Sequence, residues 1–307
     1  MRITRRDAIG AGVGAAVAVS AATVSSRALA QSGDLIKKTI PSSGEMITPI
    51  GIGTNRYGVS ESEEERAPLR DTMARFVELG GQVMDTAAVY GTSEAVIGDL
   101  AQELGIRDQL FLVTKTAMFG DIRGADGLQL AMDRLKTDNV DTFLVHNFVN
   151  LADELAALRE WQGDGRIKYI GASTSTPNQH QQMIDMLNTE EVQMIQVNYS
   201  LGDRQAAERV LPLAADKGVA VMINVPFGSS SLFDAVEGHE IPAFAADFGA
   251  ESWGQFFLKY IISHPSVTVA IPGTRQVRHV EDNIGAAMGR LPDAAERQRM
   301  EQWFDSL

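Results

Sequence analysis

The chain reads as an α/β protein wound into a (β/α)8 TIM barrel, with an N-terminal β-hairpin at the barrel bottom. Three features carry that reading. Eight short apolar, β-branched runs recur between residues 48 and 273, segments of helical spacing stand between them, and polar residues recur at the C-terminal ends of the runs. Strands buried on both faces read as continuous apolar runs rather than as alternation. Strand–helix alternation implies parallel strands joined by crossover helices, and eight repeats favour a closed barrel over an open sheet.

In chain order, residues 1–30 come first and stand apart. Arg5 and Arg6 precede an Ala/Gly-rich apolar run, Ala8 to Val24, and Ala28-Leu29-Ala30 is a small-x-small cleavage site. A charged start, a short apolar stretch and such a site describe a signal peptide, and the arginine pair makes it the twin-arginine type. The run is poor in Leu and Ile and marginal for spanning a bilayer. Gln31 would then open the mature barrel, residues 31–307. The expected location is the periplasm, reached by export of the folded protein, so the export machinery is one expected partner. A cytoplasmic protein is the alternative.

The barrel follows. "KKTIPSSGEMIT" holds two short runs around Ser-Gly, a hairpin signal. The eight strand candidates are "TPIGIGT", "GQVMDT", "LFLVTK", "VDTFLVHN", "KYIGAST", "QMIQVNYS", "VAVMINVP" and "SVTVAIPG". Between them, Leu69, Met73, Phe76 and Val77 form one apolar helix face, and Leu155, Leu158 and Trp161 another.

Composition narrows the function. The 307 residues carry a formal net charge of −13 and no cysteine. Removal of residues 1–30 makes the chain more acidic still. That balance argues against nucleic-acid partners, against anionic membrane surfaces and against stable membrane insertion of the mature chain. The absence of cysteine excludes disulfides, thiolate catalysis and cysteine-based metal sites, and no metal is expected.

The strand ends carry Asp85, Lys115, His146, Ser173, Gln196 and Asn224. In a barrel those ends converge on the face that holds active sites. A carboxylate beside an ammonium at a dry barrel mouth is tolerable when the two pair. A lysine so held against the phenol of Tyr90, five residues after Asp85, is expected to lower the phenol pKa. His146 can orient a carbonyl or help shuttle the proton. The four together would form a tuned general acid.

These residues lie in motifs that resemble the aldo-keto reductase family along the whole mature chain and in order. The motifs are "GIGTNRYG", "MDTAAVYGTSEAVIG", "VTK", "DTFLVHN", "GRIKYIGAST" and "IPGTRQVRHVEDNIGAA". The resemblance implies that Asp85, Tyr90, Lys115 and His146 are a catalytic tetrad with Tyr90 as proton donor. It implies hydride transfer between a nicotinamide cofactor and an aldehyde or ketone. It also implies that Gly53, Thr54 and Asn55 lie along the cofactor and that Ser173 and Gln196 grip its carboxamide. Phe227, Gly228 and Ser229 would cover the pyrophosphate. Gly273, Thr274, Arg275, Arg278, His279, Asp282 and Asn283 fall on the adenosine segment.

Four positions depart from the family pattern. Thr174 replaces the usual asparagine after Ser173 and keeps a hydroxyl of shorter reach. Asn224 stands where many members place a ring that stacks on the nicotinamide. Gly273 and His279 replace a frequent lysine and arginine, which leaves Arg275 and Arg278 as cations for a 2′-phosphate. NADP(H) is favoured and NAD(H) stays open. The loop after His146 is brief and little chain follows Trp303, so an open site for a small carbonyl or alcohol substrate is expected. Packing is the expected role of Phe148, Phe233 and Trp253. A cofactor-occupied binding or regulatory protein of the same fold, with little turnover, is the alternative to an enzyme.

Overall fold

The computed structural model describes residues 35–307, so the expected signal segment lies outside the described residues. The described residues open with a small antiparallel pair, β1 (Lys38–Thr39) and β2 (Met46–Ile47). Eight parallel strands follow: β3 (Ile52–Gly53), β4 (Val83–Asp85), β5 (Phe111–Lys115), β6 (Val140–His146), β7 (Ile167–Ser173), β8 (Met194–Asn198), β9 (Ala220–Asn224) and β10 (Val269–Ala270). They neighbour one another in sequence order, and bridges Ile50–Ala270 and Gly53–Gly273 join the first strand region to the last. The sheet therefore curls into a barrel. The two seam strands are shorter than their apolar runs suggest, because there the pairing reduces to these single bridges.

Helices α1 (Glu63–Glu78), α2 (Ser93–Leu104), α3 (Gly124–Leu135), α4 (Leu151–Gly163), α5 (His180–Thr189) and α6 (Ala206–Asp216) each follow a strand. After β9 come the short α7 (Ser231–Ala235) and then α8 (Trp253–Ile262); after β10 come α9 (Val277–Gly285) and α10 (Ala294–Phe304). The predicted faces are the buried ones: Leu69, Met73 and Phe76 on α1, and Leu155, Leu158 and Trp161 on α4. They pack with the outward side chains of the strands in one apolar layer. Among the described residues no helix is long and apolar enough to cross a membrane.

A second apolar cluster fills the barrel's interior. Ile40 and Ile47 of the hairpin region join it with Val83, Phe111 and Val269, which lie at or near the N-terminal ends of their strands. The hairpin thus covers the lower end. Strand spacing within the barrel is tight: a Cβ on Gly171 would lie 1.7 Å from the Met194 carbonyl oxygen, so only glycine lets β7 and β8 pair there. With the bottom sealed by apolar side chains, the polar strand ends are left at the other mouth.

Candidate active site

Parallel register brings the polar strand ends to one level. His146 pairs with Ser173, Ser173 with Gln196, and Gly53 with Asp85. Lys115 Nζ donates to Asp85 Oδ1 at 2.7 Å and to the Thr86 carbonyl at 2.7 Å, and both side chains are almost wholly buried. Gln196 Nε2 donates to the same Asp85 Oδ1 at 2.7 Å. Tyr90 sits in the turn after β4, its ring centroid 5.5 Å from Lys115 Nζ and 6.4 Å from the His146 ring, which meets it edge-on at 89°. The four expected catalytic residues are therefore neighbours.

Burial shapes their charge states. Desolvation, seconded by the Lys115 charge, holds His146 down to about 3, so its imidazole is neutral at physiological pH. Its Nδ1 is buried without a partner. Burial lifts Asp85 above the usual carboxylate range, opposed by the charge and hydrogen bond of Lys115 and by the hydrogen bond from Gln196. For Tyr90 the outcome reverses the expectation from sequence. The Lys115 ammonium is the largest single influence and pulls the phenol down. Burial and the Asp85 charge push it up, and together they prevail, so the phenol stands above its ordinary value. The physical reason is depth: the lysine's charge is already shared with Asp85, and the ring is largely withdrawn from water.

A cleft of about 930 Å³ opens beside this cluster. Asp85, Tyr90, Gln196 and Asn224 line it, with Gly53, Thr54 and Asn55 from the first strand's exit. Phe227 and Ser229 contribute from the turn after β9. Gly273, Thr274 and Arg275, then His279, Asp282 and Asn283 of α9, complete the lining, with Gly273 bridged to Gly53. Among these, Asn283 Nδ2 donates to Thr274 Oγ1 at 2.9 Å. The Asp282 carboxylate accepts from Ser252 Oγ at 2.8 Å and Gln255 Nε2 at 3.1 Å, which ties α9 to the start of α8.

Several expected residues stand outside the lining. Lys115 and His146 are buried beside it, packed against Asp85 and Tyr90. Ser173 is buried, its hydroxyl 3.5 Å from the Val145 carbonyl. Thr174 spends its hydroxyl locally, donating to Gln179 Oε1 at 2.7 Å and accepting from the Thr176 N–H, because a short hydroxyl favours its own turn. Gly228, at φ +57°, shapes the turn without lining the cleft. Arg278 is exposed on α9 and outside the lining, which leaves Arg275 as the cation there from that segment. The structure adds Arg56, Ser175, Ser252 and Gln276. Arg56 and Gln276 lie inside the quoted motifs "GIGTNRYG" and "IPGTRQVRHVEDNIGAA", and Ser175 directly follows "GAST". Trp253 and Phe233 combine packing with lining: Trp253 stacks on Phe257 at 5.7 Å and on Trp303 at 5.2 Å while facing the cleft.

The cleft's chemistry suits a nicotinamide dinucleotide. Arg56 and Arg275 supply cations for phosphate in an otherwise acidic chain. The side-chain amides of Gln196 and Asn224 are hydrogen-bonded in series from Asp85, and Asn224 Oδ1 is buried without a partner.

A barrel with a buried Lys–Asp pair, a tyrosine and a neutral histidine at its open mouth has the form of a carbonyl-handling oxidoreductase. The Aldo/keto reductase family profile matches residues 49–301, and the chain belongs to that family, whose members are oxidoreductases. The methylglyoxal reductase YeaE of Escherichia coli is 27% identical over 265 residues, covering 84% of this chain and 92% of that protein. The NADH-specific methylglyoxal reductase of Escherichia coli is 25% identical over 304 residues, covering 81% and 92%. Among solved structures, an aldo/keto reductase from Klebsiella pneumoniae in complex with NADP and acetate superposes with a TM-score of 0.73 at 25% identity, covering 88% of this chain and 96% of that one.

Proposed function

We propose that the protein is an NADP(H)-dependent carbonyl reductase and alcohol dehydrogenase acting on small aldehydes or ketones. Tyr90 is its general acid in reduction and its general base in oxidation. The observation that carries this reading is the buried Lys115–Asp85 pair set against Tyr90 and a neutral His146 at the end of the long cleft. A bound nicotinamide cofactor would supply the hydride.

The chain's own residues do the rest. Tyr90 Oη gives its proton to the carbonyl oxygen as negative charge develops there. Lys115, fixed by Asp85 and the Thr86 carbonyl, offsets the charge left on the phenolate oxygen. His146 Nδ1 has no acceptor to donate to, which favours the tautomer with hydrogen on Nε2 and leaves a neutral donor to orient the carbonyl. Thr274, Arg275 and Arg56 would hold the phosphate-bearing end, and Gln196 and Asn224 the amide end. The cations support NADP(H), in keeping with the Klebsiella neighbour's NADP. The name of the NADH-specific relative keeps NAD(H) open. The methylglyoxal reductases support small, polar carbonyl substrates.

The test is steady-state reduction of a panel of small aldehydes, methylglyoxal included, by wild type and Tyr90→Phe. Loss of the acid should lower kcat by ~10²–10⁴-fold. A wild type no faster than the variant on every carbonyl tried would defeat the reading.

We also propose that the protein is exported folded, on the pattern of Arg5, Arg6 and Ala28-Leu29-Ala30. Fractionation of cells expressing wild type and the Arg5→Lys/Arg6→Lys double variant tests this. The wild type should be recovered from the periplasm and the variant should stay in the cytoplasm. Equal distribution of the two would count against it.

A further inference from the structure

Asn224 closes a hydrogen-bonded relay that crosses the barrel mouth. Lys115 Nζ, which carries only donors, faces Asp85 Oδ1, so that oxygen accepts. Gln196 must then turn its Nε2 to the same oxygen, at 2.7 Å. Its Oε1 is thereby turned toward Asn224, which must answer with Nδ2, at 3.2 Å; the same Nδ2 donates to the Thr174 carbonyl at 2.9 Å. Each amide orientation follows from the one before it, starting from a fixed charge. The last atom, Asn224 Oδ1, is left buried with no partner, on a side chain that lines the cleft. A buried acceptor without a partner is a ligand's place to donate.

The occupant follows from the cluster to which Asn224 belongs, and this step rests on the cofactor reading above. The reacting ring must stand beside Tyr90 to meet its proton, and Gln196 links Asn224 to Asp85 in that same cluster, which leaves the ring's amide beside Asn224. We propose that Asn224 is a cofactor-recognition residue whose Oδ1 accepts a hydrogen bond from the primary amide N–H of the nicotinamide. The cleft therefore selects an amide-bearing dinucleotide over its carboxylate counterpart. A ring at this position would hold the cofactor by its face, without regard to the amide. Asn224 reads the amide itself, with its orientation set by Asp85 and Lys115.

The test uses NADP⁺ and nicotinic acid adenine dinucleotide phosphate, which differ only by amide and carboxylate. Binding is read from the emission of Trp253, which lines the cleft, with melting curves confirming that each variant is folded. Wild type should prefer the amide by at least ~10-fold, the discrimination expected when a site loses its hydrogen-bond donor and meets a repelling charge. Asn224→Leu, which removes the acceptor, should bring the ratio below about threefold. Asn224→Ala removes the acceptor with a smaller change of shape, should lower the ratio likewise, and decides the matter if the leucine variant does not fold. An unchanged ratio in folded Asn224→Leu or in folded Asn224→Ala overturns the proposal while leaving the cofactor reading intact. A wild type that binds neither nucleotide overturns both.

Discussion

In the proposed mechanism Tyr90 holds a proton until a carbonyl oxygen needs it. Lys115, burial and Asp85 settle how firmly. Lys115 draws the phenol toward ionisation, and burial and Asp85 resist more strongly in sum, so the proton is retained above the ordinary phenol value of 10.0. His146, held at about 3, stays neutral far into acid. Neither group titrates across the neutral range. The kcat for reduction should therefore be level from about pH 5 to about pH 9, falling only as the phenol ionises. Oxidation, which needs Tyr90 to accept a proton, should rise with pH over the same interval. A reduction profile with an alkaline limb near pH 7 would show that the lysine prevails instead. That Asp85, Tyr90, Lys115 and His146 come together was legible in the sequence, because a strand-end lysine needs a partner and Asp85 supplies it. The sign of the Tyr90 shift was not, since it depends on how deeply the ring is buried and on how the lysine divides its charge.

At the scale of elements, the turn after β9 stores backbone strain beside the cleft. Val225 (φ +48°), Ser229 (φ +55°) and Ser230 (φ +82°) all adopt left-handed conformations that side chains disfavour. Such strain persists where the surroundings over-determine it, commonly at ligand-binding turns. Ser230 is exposed, so replacing it costs little packing. Ser230→Gly should stabilise the protein by up to about 1 kcal/mol, seen as a small rise in Tm. A fall in Tm would mean that the serine hydroxyl contributes more than its backbone costs. The strands were legible because burial on both faces leaves an unbroken apolar run. The connection holding this turn and α7 was not, because neither alternation nor helical spacing marks it. Thr174 illustrates the same limit: a hydroxyl beside a turn satisfies itself locally, and strand position alone does not reveal that.

For the molecule as a whole, two histidines are folded in their neutral form. Burial depresses His146 to about 3 and His264, which packs edge-on against Tyr199 at 5.8 Å, to about 4, against an ordinary imidazole value of 6.5. The unfolded chain takes up these protons first. Their contribution to stability is complete above about pH 6.5 and is lost as the pH falls toward 4 and then 3. The Tm should accordingly decline below about pH 6. His264→Gln should flatten part of that decline without altering the wild-type cleft, and a slope unchanged by the substitution would assign the acid sensitivity to other groups. The closed barrel, with apolar residues at its base and polar strand ends at its mouth, is what allows both the buried tetrad and the long cleft beside it.

The central claim is that this mouth delivers a proton from Tyr90 to a carbonyl as hydride arrives from the nicotinamide. Its most direct test is label transfer. Wild type and Tyr90→Phe would be loaded with NADPH deuterated on the transferring face, given a small aldehyde, and the alcohol analysed by mass spectrometry. Wild type should place deuterium on the new carbinol carbon, and Tyr90→Phe should do so ~10²–10⁴-fold more slowly while binding the nucleotide equally well. Equal rates of labelling, or no label in the alcohol from wild type, would contradict the account.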